Sequence, residues 1–96
     1  MSLEESVPHS VRMKLKNKHN VSIYEVEECF SNREGSFLED TREKNKTNPP
    51  TNWFIAETDY GRKLKVVFIE LEDRIELKTA YEPNQEEIRI YQKYAY

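Results

Sequence analysis

Residues 63–71 read KLKVVFIEL. Leu64, Val66 and Phe68 fall on one side of an extended chain, and Val67, Ile69 and Leu71 on the other. Side chains alternate along a strand, so this segment is apolar on both faces and needs cover on each. It reads as the central strand of a sheet. Just before it, Asp59-Tyr60-Gly61-Arg62 has the chemistry of a hairpin turn, with Gly61 free to take positive φ. The strand that enters this turn lies in NWFIAET, residues 52–58. Just after the central strand, Glu72-Asp73 is a second tight turn. It leads into RIELKTAYE, residues 74–82, where Ile75, Leu77, Thr79 and Tyr81 alternate with Glu76, Lys78, Ala80 and Glu82. Residues 36–42, SFLEDTR, supply a short further strand. Between them, EKNKTNPPT at 43–51 is polar, holds a proline pair and reads as a loop with a mobile tip.

Helices flank this sheet. Val7, Val11 and Leu15 recur at i, i+4 and i+8, one helix face, with Pro8 in the first turn. Asn17 and Asn20 mark a turn, and Ser22 with Glu25 forms a capping box for a second helix. Ile23, Val26 and Phe30 are its buried face, with Cys29 beside them as a small buried hydrophobe. SNREG at 31–35 is a loop. After Pro83, Ile88 and Tyr91 begin the stripe of a last helix, continued by Tyr94 or Ala95. Glu86 and Glu87 near its start and Lys93 near its end suit the helix dipole. The expected fold is α+β: two N-terminal helices, a four-stranded antiparallel meander sheet and a C-terminal helix. A single domain spans residues 1–96, with residues 1–6 expected to be poorly ordered.

The composition narrows the function. Of the 96 residues, 36% are hydrophobic and 34% charged, which leaves room for one lean core. No apolar run approaches the roughly 18 residues of a membrane span. One cysteine and two glycines exclude a disulfide framework, a Cys-rich zinc site and a glycine-rich phosphate loop. The two histidines, His9 and His19, lack metal-ligand spacing, so no metal and no cofactor is implied. A cytoplasmic, reduced setting is the expectation. Net charge is −3, yet residues 12–19, RMKLKNKH, carry Arg12, Lys14, Lys16 and Lys18 with no acid among them. Such a local basic stretch suits a polyanion. It equally suits a solvated helix face.

Five pieces of the chain, in order, resemble the BrnT toxins of bacterial toxin–antitoxin pairs, within the wider RelE-like ribonuclease group. They are KHNV at 18–21, EVEECF at 25–30, LEDTR at 38–42, GR-x-L-x-VVF at 61–68, and I-x-L-x-TA followed by E-x-x-x-Y from Ile75 to Tyr91. The family usually has KHGV at the first. It commonly opens with a short strand bearing Trp-Asp, which residues 1–10 lack, and places an Arg where this chain has Tyr81. The resemblance implies a RelE-like fold, an RNA substrate and a neutralising antitoxin protein.

RNA cleavage without a metal needs a base for the 2′-hydroxyl, an acid for the leaving 5′-oxygen and cations on the phosphorane. For these tasks the chain offers Lys18 and His19 at the end of the first helix, Glu39 and Arg42 on the first strand, and Tyr81 on the last. Glu39 or His19 would be the base, Lys18 and Arg42 the phosphate holders, and Tyr81 a stacking ring or a hydroxyl. Plain structural roles compete with each: His19⁺ suits a helix C-terminus, and Glu39 and Arg42 suit cross-strand pairing. Tyr91, Tyr94 and Tyr96 cluster at the C-terminus, where exposed aromatics suit base stacking, a protein partner or a homodimer contact. The competing functional expectation is a catalytically silent domain of this fold that only binds a protein or a nucleic acid.

Overall fold

The structure, a computed structural model, describes Leu3, residues 6–42 and residues 48–96. The expected mobile tip of the 43–51 loop therefore falls largely outside the described residues. Helix α1, His9–Lys14, runs straight into a π-helical turn, Leu15–His19. Asn17 thus lies inside helical structure rather than in a turn. The turn comes at Asn20, whose φ of 54° places it in the left-handed region that Asn tolerates best after Gly. Helix α2, Ile23–Asn32, starts on the Ser22–Glu25 capping box, with both reciprocal bonds formed. Four strands follow: β1 Leu38–Glu39, β2 Thr51–Glu57, β3 Lys63–Glu70 and β4 Ile75–Tyr81. Helix α3, Gln85–Tyr94, closes the chain on a second capping box, Asn84 with Glu87.

The sheet is an antiparallel meander in the order β1-β2-β3-β4. The fold is α+β, as the alternation and capping signals indicate. The expected first strand is reduced to two residues. Leu64, Val66 and Phe68 of β3 are fully buried, together with Phe54 of β2 and with Leu15, Val26 and Cys29 of the N-terminal helices. Phe30, Phe37, Phe54 and Phe68 cluster there with ring centroids 4.8 to 6.3 Å apart. Edge-on aromatic pairs of this kind add about 0.5–1.5 kcal/mol each beyond area burial. The other sheet face meets α3, where Tyr91 packs on Trp53 at 5.6 Å between ring centroids. Of the two residues that compete to continue the α3 stripe, Ala95 is buried and Tyr94 exposed. Leu3 is buried as well, and its N–H donates to the Glu27 carboxylate.

One irregularity decides where the last strand points. Val67 faces Thr79 but Phe68 faces Leu77, so Lys78 is an extra residue, a β-bulge. The alternation read from RIELKTAYE breaks at that point. Leu77 pairs beside Phe68, in the layer of α1 and α2. Thr79 and Tyr81 pair beside Val67 and Lys65, on the α3 face. The four residues Ile75, Leu77, Thr79 and Tyr81 do not share one face, because a single inserted residue exchanges the two sides of a strand.

Candidate functional site

The α3 face carries a polar cluster built from β3, β4 and α3. Lys65 stands in phase with Val67 and Ile69, so β3 directs it toward α3. Its ammonium donates to Glu87 Oε2 over 2.8 Å. Tyr81, the register partner of Lys65, donates its hydroxyl to the same Oε2 over 2.7 Å. Glu87 Oε1 accepts the Asn84 N–H over 3.0 Å, the return bond of the capping box. The Lys65 ammonium also lies 4.5 Å above the Trp53 ring and 5.7 Å from that of Tyr81. The side chains of Lys65 and Glu87 are only 10% and 18% exposed.

Beside the cluster, the segment after β1 supplies a second ion pair. Arg42 grips Asp40 with Nε and Nη2, at 3.1 and 2.9 Å. The guanidinium lies within electrostatic reach of both Tyr81 and Glu87. Between this segment, Trp53 and α3 opens a groove of about 740 Å³. Glu39, Asp40, Arg42, Lys65 and Glu87 line it, with Tyr94 among its apolar walls. Among the described residues, its charged lining comprises three carboxylates and two cations.

These contacts shift the titrations. The Arg42 hydrogen bonds hold the Asp40 carboxyl below its ordinary value, against a smaller effect of burial. Burial alone would raise Glu87; the Lys65 ammonium, the Asn84 N–H and the Tyr81 hydroxyl together outweigh it, and the carboxyl ends low. Tyr81 is pushed up to about 12, first by burial and then by donating to the Glu87 carboxylate.

The sequence candidates are distributed as follows. Glu39 and Arg42 line the groove. Tyr81 is bonded to the groove residue Glu87. His19 lies against Tyr81 from the end of the π-helical turn, ring centroids 5.6 Å apart. Lys18, one residue earlier, is exposed and is not part of the groove wall. Lys14 and Lys16 are exposed and Arg12 half-buried, all on α1 and its turn, which lie against β4 rather than against α3.

Sequence reasoning passed over Lys65, Asp40, Glu87 and Arg62. Lys65 had a signal: a lysine on a strand apolar on both faces sits where charge is costly. Glu87 reads in the sequence as an acid that suits the start of a helix. Arg62, read as a turn residue, donates to the carbonyls of Asn20 and His19 and pairs with Glu25 and Glu82. It thereby fixes the end of the turn that presents His19. Among the described residues, no three His, Cys, Asp or Glu gather as a metal-binding group, and no helix is long and apolar enough to cross a membrane. Comparison with protein-family models, with curated proteins and with solved structures finds nothing that matches this chain.

Proposed function

We propose that this chain is a BrnT-like toxin of the RelE-like group. It cleaves RNA by attack of the 2′-hydroxyl on the adjacent phosphorus, and a small antitoxin protein neutralises it in the cytoplasm. One observation carries the reading: four of the five pieces that resemble the family contribute to the groove or to Tyr81 beside it, while EVEECF, on α2, packs against the other face of the sheet. KHNV brings His19 against Tyr81, and LEDTR brings Glu39, Asp40 and Arg42 to the groove. GR-x-L-x-VVF brings Lys65, and the two parts of the fifth piece flank Tyr81 and bring Glu87. A groove with cations on its wall and aromatic Trp53, Phe37 and Tyr94 around it suits a single strand, whose phosphates need charge and whose bases need flat surfaces. Tyr94 and Tyr96 stay exposed and offer a contact surface for the antitoxin or for a second copy.

Among the described residues, the groove wall carries more carboxylates than cations, which favours a second reading. A phosphate chain entering there meets repulsion as well as attraction, so a catalytically silent domain that binds a protein partner is the competing function.

Induced expression of the chain alone, beside an equally soluble Arg42→Ala variant, separates the two. Growth arrest with fragmented total RNA, abolished by the variant, is the expected result. Normal growth and intact RNA from a folded, soluble chain would overturn RNA cleavage and leave the binding reading.

A further inference from the structure

We infer that Glu87 is the general base of that cleavage, that Lys65 is a cation for the reacting phosphate, and that Tyr81 is the positioning residue holding the carboxylate; the inference rests on the RNA-cleaving reading. An ionised carboxylate offers about four acceptor positions. Three on Glu87 are filled: Lys65 and Tyr81 on Oε2, and the Asn84 N–H on Oε1. Among the described residues nothing fills the remaining position, on Oε1, which suits a substrate hydroxyl. Glu87 and Lys65 both line the groove, whereas Tyr81 does not and acts through Glu87.

Folding makes use of both charges but does not require either of them. A glutamine at the third helical position closes a capping box as well as a glutamate does. An apolar side chain in phase with Val67 and Ile69 would pack where Lys65 is, and replacing a buried ion pair by apolar residues is often neutral or stabilising. A lysine and a phenol that converge on one carboxylate oxygen, at a groove wall, form the kind of arrangement that tunes reactive groups.

The step balances as follows. The 2′-oxygen gives its proton to Glu87 and bonds to phosphorus, with Lys65 and Arg42 facing the charge on the phosphoryl oxygens. The bond from phosphorus to the 5′-oxygen breaks, that oxygen takes a proton from solvent, and Glu87 returns its proton to solvent. The products are a 2′,3′-cyclic phosphate and a 5′-hydroxyl end.

The test uses the purified full chain and a single-stranded RNA oligonucleotide of mixed sequence, comparing the wild type with Glu87→Gln and Tyr81→Phe. Glu87→Gln keeps the capping bond, and circular dichroism verifies the fold. Its expected cleavage rate is lower by about 100-fold or more, the usual contribution of a positioned base. Tyr81→Phe is expected to move the acid limb of kcat/KM to higher pH, because it removes a bond that holds the Glu87 carboxyl low. A folded Glu87→Gln that cleaves within a few-fold of the wild type overturns the inference and spares RNA cleavage. An acid limb unmoved in Tyr81→Phe overturns the positioning role. A wild type that leaves RNA intact overturns both the reading and the inference.

Discussion

Arg62 donates to the backbone carbonyl of Asn20 over 2.8 Å, joining the β2–β3 hairpin to the end of the π-helical turn. The same guanidinium reaches both oxygens of Glu25 at 3.0 and 3.1 Å, and the carboxylate of Glu82 at 3.0 Å. It sits at the one place where helix layer, hairpin and the exit of β4 meet. Arg62→Ala should cost about 1.5–3 kcal/mol, the range of hydrogen bonds to a charged group. Arg62→Lys should recover only part of it, because an ammonium lacks the planar fork. Urea unfolding measures both, and an Arg62→Ala midpoint equal to the wild type would refute the clamp.

Gly35 is needed for space rather than for backbone freedom. A Cβ there would lie 2.7 Å from the Tyr91 hydroxyl and 3.1 Å from the Ala95 Cβ. Tyr91 cannot easily yield, because its hydroxyl donates to the Ser36 carbonyl over 2.9 Å and its ring packs on Trp53. Gly35→Ala is expected to destabilise by about 1–3 kcal/mol, as overpacking does. Tyr91→Phe removes the oxygen that clashes, so the double variant should lose less than the sum of the singles. Strict additivity in thermal melts would refute this contact.

Acid stability should report the two low carboxyls that line the groove. Asp40 and Glu87 titrate below their ordinary values of 3.8 and 4.5. A group lower in the folded chain than in the unfolded chain stabilises above the unfolded value. That contribution fades as pH falls through the folded value. The urea midpoint should therefore decline from about pH 4.5 downward, with a shallower decline in Glu87→Gln. An identical slope in wild type and variant would mean that Glu87 titrates normally.

Cys29 should be inert in the folded protein. Its thiol is raised to about 12, first by burial and then by Glu25 and Glu28, and it donates to the Ala56 carbonyl. Reaction depends on the thiolate, which is scarce at such a value. Labelling by a thiol reagent at pH 8 should proceed only at the rate of unfolding. Fast labelling of the native chain would contradict the burial.

The extent to which the fold was legible follows from the range of the forces involved. Both N-terminal helices, the turn at Gly61 and the apolar faces of β3 were readable, because capping, turn chemistry and alternation act over a few residues. The Ser22–Glu25 box formed as spaced, and Leu64, Val66 and Phe68 became the buried face. Of the candidate site, Glu39, Arg42, Tyr81 and His19 were named from the resemblance and the chemistry. The Lys65–Glu87 pair was not, since no local rule links a strand lysine to a helix-capping glutamate 22 positions away.

The sequence by itself determined the elements, their order and the central place of residues 63–71, all through interactions between near neighbours. Tertiary structure decided which way the end of β4 faces. Lys78 bulges out of the ladder, and that one residue carries Tyr81 from the phase of Leu77 to the phase of Lys65. Strand alternation has period two, so a bulge that no turn or propensity announces reverses every side chain after it. Through that reversal Tyr81 reaches Glu87, one of the charged residues that line the groove.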